Sequence, residues 1–261
     1  MSAKNIPIYK RPEGLTDVRT NYCAGCGHGI IHKLVAEALD ELEIRDNTIL
    51  IAPVGCSVLA YKYIEVDGLE AAHGRAPAVA TGLKRALPDR MVISYQGDGD
   101  LLAIGAGETM HAANRGENIT VLFVNNAIYG MTGGQMAPTS LEGQKTLTSP
   151  NGRNTAEVGS PMRACELLDT LVSPAYIERT SVHNPASVRK TKKAILKALR
   201  YQKENKGYSF VEILSMCPTN WGVDPVKGAD WVKEAMVPWY PLKKFRDKPA
   251  DAEKPTEKKA S

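Results

Sequence analysis

Short, strongly apolar runs alternate along the chain with longer segments that have helical character. The apolar runs predict strands at residues 49–54, 91–95, 118–124, 175–182 and 207–214, because strands that are buried on both faces are apolar throughout. The longer segments predict helices at residues 30–42, 75–87, 101–115 and 186–205. This alternation predicts an α/β fold in which a doubly wound, mostly parallel sheet carries helices on both faces.

The layout indicates one domain followed by a tail. We expect residues 1–245 to form a single domain that begins with an irregular lead-in over residues 1–22. Residues 127–160 are rich in Gly, Pro, Ser, Thr and Asn, and a loop of that length is unusual unless it is functional. We therefore expect it to cover a cofactor and a substrate. Residues 246–261 are rich in Lys, Glu, Pro and Ala, which predicts a disordered charged tail.

Composition and charge exclude some classes of function. A net charge of +4 is modest and indicates neither nucleic-acid binding nor a membrane surface. No apolar run is long enough to span a membrane, and the N-terminus lacks the apolar core of a signal peptide, so we expect a cytoplasmic protein. The many basic residues at 186–205 could form a docking face for an acidic partner protein. A solvated helix face is the more ordinary interpretation.

The stretch from Gly97 to Asn126 combines features that suit a metal ion on a diphosphate. Gly97, Asp98 and Gly99 follow a predicted strand, and the glycines allow a sharp turn and a close approach of phosphate to backbone N–H groups. The next predicted strand leads to Asn125 and Asn126 at the same edge of the sheet, where α/β proteins bind ligands. Oxygen ligands suit Mg²⁺. An ordinary strand–helix–strand unit with a polar loop is the alternative.

Five cysteines, an odd number, argue against a secreted disulfide scaffold. Cys23 and Cys26 form a C-x-x-C, and Cys56 and Cys217 each come at the end of a predicted strand. These four thiols are enough for a [4Fe–4S] cluster, but their spacing equally allows a zinc site or unrelated buried thiols. Cys165 lies in a helical segment and is predicted to be a small buried apolar residue.

The segment around the C-x-x-C leaves two further alternatives open. The two thiols could form a redox dithiol instead of binding a metal. His28 and His32 are four residues apart, which suits a pair of zinc ligands. A histidine on a helix face is more often simply hydrogen-bonded.

Taken together, these motifs resemble the β subunits of the 2-oxoacid:ferredoxin oxidoreductases, over about residues 15–245. The segments that carry the resemblance are CAGCGHG (23–29), PVGCS (53–57), AAHGRAPAVATG (71–82), QGDGD (96–100), NNAIYGMTGGQMAPTS (125–140) and CPTNWG (217–222). GDG followed by NN resembles the thiamine-diphosphate motif. The runs MTGGQMAPT and CPTNWG, with PWYPL at 238–242, make the chain most similar to the branched-chain, or 2-oxoisovalerate, type.

The resemblance implies roles for individual residues. Mg²⁺ would be held by Asp98, Asn126 and the backbone carbonyl of Ile128, while Asn125 supports the turn. The residues implied to line thiamine diphosphate are Gly55, Cys56, Ser57, His73, Gly97, Gly99, Asp100, Gly130 and Met131. The residues implied to hold one [4Fe–4S] cluster near the cofactor are Cys23, Cys26, Cys56 and Cys217. The alternative for His73 is a helix-capping role. Arg75 could pair with an anion, but its more ordinary role is at the N-terminal turn of a helix.

The implied activity is the oxidative decarboxylation of a branched-chain 2-oxoacid to an acyl-coenzyme A and CO₂, with single electrons passing through the cluster to ferredoxin. Action on 2-oxoglutarate or pyruvate, and a non-redox thiamine-diphosphate lyase with a structural metal, are the alternatives. The glutamate that commonly activates thiamine diphosphate has no motif here, and the resemblance implies that it belongs to an α subunit. We expect no certain catalytic residue in this chain and no activity without its α, and further γ or δ, partner subunits.

Overall fold

A single seven-stranded sheet organises residues 9–248, the part of the chain that the computed structural model describes. Its strands are β1 (Thr48–Pro53), β2 (Asp67–Ala71), β3 (Met91–Gly97), β4 (Thr120–Asn125), β5 (Tyr176–Ser181), β6 (Ser209–Leu214) and β7 (Lys244–Asp247). They are ordered β2–β1–β3–β4–β6–β5–β7, and every neighbouring pair is parallel except the antiparallel pair of β5 and β7. The expected mostly parallel sheet is confirmed.

Helices cover both faces of this sheet. They are α1 (His28–Glu41), α2 (Ala76–Ala86), α3 (Ala106–Asn114), α4 (Thr155–Val158), α5 (Ala164–Asp169), α6 (Pro185–Lys203), α7 (Pro218–Trp221), α8 (Gly228–Trp231) and α9 (Val237–Trp239), with 3-10 turns at Arg45–Asn47 and Cys56–Lys62 and π-helical turns at Gly99–Ile104 and Val232–Met236. One apolar core contains side chains of α1 and α6, and a second contains side chains of α2, α3 and α5. Within residues 9–248, none of the helices combines the length and the apolar character that crossing a membrane requires.

The elements expected from the apolar pattern lie close to their predicted positions. Every residue of β1, β4 and β6 is buried, which is why these strands are apolar runs rather than alternating ones. The start of α6 is fixed by Asn184, whose side chain accepts a hydrogen bond from the Ser187 backbone N–H at 2.8 Å, and by Pro185. Cys165 is fully buried, as expected for a small apolar residue.

Two edge strands and one helix break were not predicted. The first four residues of β2 are exposed and β7 is rich in charge, so neither has the apolar run of a buried strand. The predicted helix at 101–115 is instead a π-helical turn followed by α3, and the two meet at Gly105. A Cβ placed there would lie 2.3 Å from the carbonyl oxygen of Asp100, so the chain must change course at a glycine.

The ends of the predicted domain need one correction. Arg246 and Asp247 belong to β7, so the expected start of a disordered tail at residue 246 is wrong for these two residues. The strand extends the sheet because it pairs with β5 through Ile177 and Tyr176. The rest of the predicted tail, residues 249–261, and residues 1–8 of the lead-in lie outside the described part of the chain.

The long segment at 127–160 is a packed loop whose one helix is the four-residue α4. A buried arginine organises it. The guanidinium of Arg153 donates hydrogen bonds to the carbonyl oxygens of Ala137, Ser140 and Gly159 at 2.8–3.1 Å. The segment therefore has a defined course over the sheet edge although it contains little regular structure.

The basic helix α6 forms ion pairs with α1 and with β7. Lys192 lies 3.2 Å from a carboxylate oxygen of Glu37, and Lys197 lies 2.5 Å from one of Asp247. Arg200 lies 3.6 Å from a carboxylate oxygen of Glu41. Three of the seven Lys and Arg side chains of α6 therefore have a carboxylate partner among residues 9–248.

Candidate active site

A crevice opens at the carboxyl ends of β1, β3 and β4. The strand order reverses between β1 and β3, and α/β sheets form their ligand crevices at such a reversal. The crevice encloses about 160 Å³. All the residues expected to line the cofactor or to hold magnesium are found in its wall: Gly55, Cys56, Ser57, His73, Gly97, Asp98, Gly99, Asp100, Asn126, Ile128, Gly130 and Met131. Two larger surface depressions elsewhere are lined mainly by charged side chains of the N-terminal segment, α1 and α6.

Asp98 immediately follows β3 and is buried, with 4% of its surface exposed. Its Oδ2 accepts hydrogen bonds from the Ile128 backbone N–H at 3.2 Å and from the Thr139 hydroxyl at 2.7 Å. Its Oδ1 accepts one from the Gly99 backbone N–H at 3.1 Å. The same Ile128 N–H lies 3.3 Å from Asn126 Oδ1, which brings the carboxylate and the amide oxygen together. Such oxygen donors are the ligands that Mg²⁺ binds.

Asn125, at the end of β4, belongs to a buried network instead of the crevice. Its Nδ2 donates to Glu212 at 2.8 Å, and Glu212 also accepts from Arg179 Nε at 2.8 Å. Its Oδ1 accepts from the backbone N–H of Ala127 at 3.1 Å, where φ is +57°. Few residues other than glycine adopt that conformation, so it needs such a partner. Asn125 therefore supports the turn that presents Asn126.

The charge of Asp98 has a cost in the absence of a cation. Burial raises the pKa of Asp98 from its ordinary value of 3.8 to about 6, although the hydrogen bonds from Thr139, Ile128 and Gly99 favour the charged form. A divalent cation beside the carboxylate would remove this cost. The donor chemistry and the charge at Asp98 therefore both fit a bound magnesium ion.

A second buried carboxylate, that of Asp100, holds His73 at the crevice wall. Asp100 Oδ1 accepts from His73 Nδ1 and from the Gly74 backbone N–H, both at 2.6 Å, and its Oδ2 accepts from Gln96 Nε2 at 2.7 Å. Because an ionised carboxylate only accepts, Nδ1 donates and Nε2 is the nitrogen available to a ligand. The His73 side chain is 41% exposed. It does not cap α2, whose preceding residue is Arg75.

Cys56, in the crevice wall, lies beside Cys217. Cys56 begins the 3-10 turn that follows β1, and Cys217 immediately precedes α7. A Cβ placed on Gly130 would lie 3.4 Å from the sulfur of each, so the two sulfurs are no further apart than twice that distance. Since Cys56 and Gly130 both line the crevice, Cys217 lies directly behind the crevice wall.

The C-x-x-C loop packs against the segment between β6 and α7. The backbone N–H of Gly27 donates to the Met216 carbonyl oxygen at 3.2 Å. A Cβ on Gly27 would lie 2.1 Å from the hydroxyl oxygen of the residue before Met216, so only glycine allows this approach. Cys23 and Cys26 are thereby brought to the same region as Cys217.

The charges of these four thiols act on one another. Burial, and to a smaller extent the charges of Cys217, Cys56 and Cys23, raise the pKa of Cys26 to about 12. Burial, then Cys217, Cys23 and Asp98, raise that of Cys56 to about 11. Buried sulfurs this close together stay ionised only when a positive metal neutralises them. The donor set therefore fits a metal-bound state.

Within residues 9–248, no group of three or more His, Cys, Asp or Glu side chains is arranged to hold a single metal ion. Cys165 stands apart, buried near Glu212 and Arg179.

A group of aromatic side chains packs beside the cysteines. Tyr22 stacks on His28 with ring centroids 4.8 Å apart and donates its hydroxyl to the Cys56 carbonyl oxygen at 2.8 Å. His28 Nδ1 lies 2.6 Å from the Tyr95 hydroxyl. Burial lowers the pKa of His28 to about 4 and that of His32 as well. Both are therefore neutral members of a buried aromatic group, and His28 also lines the crevice.

Several residues of the site were not predicted from the sequence. They are His28, Gln96 and Thr139, together with Tyr22. Gln96 and Thr139 belong to the segments QGDGD and NNAIYGMTGGQMAPTS, and His28 belongs to CAGCGHG. Their place in those segments was the only signal in the sequence that they belong to the site. The hydrogen-bond partner of each residue becomes known only from the folded structure.

Comparison with known proteins defines the class of this domain. Residues 53–213 match the family model described as thiamine pyrophosphate enzyme, C-terminal TPP binding domain. The chain is 52% identical over 246 residues, or 94% of its length, to the ketoisovalerate oxidoreductase subunit VorA of Methanothermobacter thermautotrophicus. It spans only about half of that relative, 52% of its length.

Two further comparisons cover more of the matched proteins. The 2-oxoglutarate synthase subunit KorB of Methanocaldococcus jannaschii is 38% identical, with 86% of this chain and 79% of KorB covered. A solved 2-oxoglutarate:ferredoxin oxidoreductase from Magnetococcus marinus, with 2-oxoglutarate, coenzyme A and succinyl-CoA bound, matches with a TM-score of 0.74 at 30% identity. That match covers 88% of this chain and 75% of the other. The chain belongs to the family of thiamine-diphosphate-binding β subunits of 2-oxoacid:ferredoxin oxidoreductases.

Proposed function

We propose that this chain binds thiamine diphosphate and Mg²⁺ in the crevice and carries a [4Fe–4S] cluster beside it. The enzyme it serves converts a 2-oxoacid and coenzyme A to an acyl-coenzyme A and CO₂, and ferredoxin accepts the electrons. The observation that carries this proposal is the position of Gly130. This residue lines the crevice, and a Cβ placed on it would lie 3.4 Å from the sulfurs of both Cys56 and Cys217. A cofactor in the crevice and a cluster on the cysteines would therefore be neighbours.

In this proposal the turn after β3 and the turn after β4 hold the magnesium ion. Asp98 and Asn126 supply side-chain oxygens, and Ile128 supplies its backbone carbonyl oxygen. The Ile128 N–H keeps the two side chains adjacent, and the Thr139 hydroxyl fixes the orientation of the Asp98 carboxylate. The Mg²⁺ ion would neutralise the diphosphate and the buried carboxylate together.

The remaining crevice residues bind and orient the cofactor. When bound, thiamine diphosphate supplies the electron sink that allows a 2-oxoacid to lose CO₂, and a [4Fe–4S] cluster accepts electrons singly. Gly55, Gly97 and Gly99 expose backbone to the ligand, and Ser57 lies beside them in the wall. Asp100 holds His73 so that its Nε2 can donate to or accept from a polar group of the ligand.

We infer that a partner subunit completes the site. No glutamate is among the described residues that line the crevice. The rim carries exposed apolar side chains, among them Val54 (44% exposed) and Met131 (47% exposed). Exposed apolar groups beside a ligand crevice are typical of a protein–protein interface. A partner docked there would exclude water and would contribute the activating glutamate.

The chemistry of the crevice favours a branched-chain 2-oxoacid as substrate. Its described lining contains apolar groups such as Met131 and Val54, but no lysine or arginine that could pair with a second carboxylate. 2-Oxoglutarate carries such a carboxylate, and 2-oxoisovalerate does not. The higher identity to the ketoisovalerate relative than to the 2-oxoglutarate relative, 52% against 38%, points the same way.

The test is a measurement of metal content and of electron transfer on one preparation. The full chain is co-purified with its partner subunits without oxygen and assayed with 2-oxoisovalerate, 2-oxoglutarate and pyruvate, each with coenzyme A and ferredoxin. We expect about four iron atoms per copy of this chain, after subtraction of iron on the partners, and the fastest coenzyme-A-dependent ferredoxin reduction with 2-oxoisovalerate. Zinc in place of iron, or CO₂ release without ferredoxin reduction, would contradict the proposal and support the lyase alternative.

A further inference from the structure

Asn220 lies between Gly130 of the crevice wall and Cys217, and the proposed function gives it no role. It lies on α7, three residues after Cys217. Its Nδ2 lies 3.3 Å from Cys217 Sγ and 3.0 Å from the carbonyl oxygen of Gly130. The two N–H groups of one amide are therefore directed at a sulfur and at a carbonyl oxygen. Since both of these atoms are acceptors, they fix which end of the amide faces them.

The surroundings of α7 limit the freedom of this side chain. A Cβ placed on Gly134, where φ is +99°, would lie 3.3 Å from Asn220 Oδ1, so the opposite side of the amide is packed closely. The neighbouring Trp221 donates its indole N–H to the Asn126 carbonyl oxygen at 3.0 Å and packs against Trp231 with ring centroids 4.0 Å apart. The short helix α7 is thus held against the turn after β4, through Asn126, and against α8, through Trp231.

We propose that Asn220 is a positioning residue that holds the Cys217 thiolate and, by donating a hydrogen bond to its sulfur, raises the reduction potential of the cluster. This inference rests on the proposed [4Fe–4S] cluster. Reduction adds negative charge that is shared with the cysteine sulfurs, and a donor at one sulfur stabilises the reduced form more than the oxidised form. Because the other N–H of the amide binds Gly130, the same residue ties the cluster ligand to the crevice wall.

The experiment uses the full-length chain, produced and purified without oxygen, and two variants that remove the donor in different ways. Asn220→Leu removes both N–H groups without adding charge. Asn220→Asp keeps the shape and places a carboxylate against the sulfur. Thr219→Ala is the matched control, because Thr219 is the exposed residue beside Asn220 on the same helix. Iron content, thermal melting and the cluster midpoint potential from a redox titration followed by electron paramagnetic resonance are measured for each.

We expect the wild type and Thr219→Ala to share one potential, Asn220→Leu to shift to a more negative value, and Asn220→Asp to shift furthest. Loss of iron from both Asn220 variants, with an unchanged melt and full iron in Thr219→Ala, would also support the assignment, since the sulfur would then depend on the amide. Full iron content with an unchanged potential in both Asn220 variants would overturn the role of Asn220 alone. A wild-type chain without a [4Fe–4S] signal would overturn both this inference and the proposed cluster.

Discussion

Replacing Asp98 by asparagine should abolish Mg²⁺-dependent cofactor binding and yet stabilise the metal-free chain. The pKa of Asp98 rises from 3.8 to about 6 on folding because the carboxylate is buried. At about 1.4 kcal/mol per pKa unit, its charge destabilises the metal-free fold by about 3 kcal/mol. Asparagine removes the charge, but its NH₂ group must face one N–H or O–H donor. This mismatch destabilises the fold by about 1 kcal/mol. The net expected gain is about 2 kcal/mol.

The pH dependence follows from the direction of the shift. A carboxyl group whose pKa is higher in the folded state binds its proton more tightly there, so the wild-type fold loses stability as pH rises from about 4 to about 6. Well above pH 6 the wild type has lost the full stability that ionisation of Asp98 removes, and below pH 4 it has lost little of it. Asp98→Asn has no ionisable group at this position, so its stability does not fall over this range for this reason. For a chain of this size, about 2 kcal/mol corresponds to a melting temperature roughly 4–8 °C higher at pH 7.5.

The assay is thermal melting followed by circular dichroism, with a chelator present, no thiamine diphosphate, and matched iron content in the two proteins. Titration calorimetry with Mg²⁺ and thiamine diphosphate on the assembled enzyme measures the lost binding. Asp17→Asn makes the same change on a side chain that is fully exposed, and it should leave the free energy of unfolding within about 0.5 kcal/mol of wild type. If Asp98→Asn melts no higher than wild type at pH 7.5, or still binds the cofactor with Mg²⁺, the assignment of Asp98 is refuted.

Three further outcomes are expected. Glu212→Gln should destabilise the fold by about 2 kcal/mol, seen as a lower melting temperature, because it removes one of the two carboxylates, those of Glu212 and Glu166, that pair with buried Arg179. Asp100→Asn should weaken thiamine diphosphate binding about tenfold in calorimetry, since His73 loses a carboxylate partner, and should cost about 1 kcal/mol of stability, since the asparagine NH₂ must face one of three donors. An unchanged affinity would contradict that role. Cys217→Ser should lower the iron content and ferredoxin reduction more than decarboxylation, whereas the same change at Cys165 should spare all three.

Much of the crevice is predictable from the sequence because it is built at strand ends. The apolar runs before Gly97 and Asn125 show where β3 and β4 stop, and parallel topology brings their ends to one edge. Asp98 and Asn126 therefore converge although a helix separates them in sequence. The double winding follows from the alternation of strands and helices in the same way.

Other features depend on contacts that no local pattern encodes. β2 and β7 are edge strands with exposed or charged residues, so they lack the apolar signal of β4. The break between the π-helical turn and α3 follows from the close contact of Gly105 with Gly74, which lie far apart in sequence. The spacing of the cysteines alone left cluster, zinc and unrelated thiols equally open. The position of Gly130 beside the sulfurs of both Cys56 and Cys217 shows that these two thiols lie together, which their spacing in the sequence could not show.

The most direct test of the account is a crystal structure of the enzyme grown without oxygen in the presence of Mg²⁺ and thiamine diphosphate, with anomalous scattering recorded at the iron edge. The account predicts four iron sites bound by Cys23, Cys26, Cys56 and Cys217, and a magnesium ion on Asp98 and Asn126 across Gly130 from them. Iron bound elsewhere, a single zinc ion among the cysteines, or a cofactor diphosphate that does not reach Asp98 would contradict it.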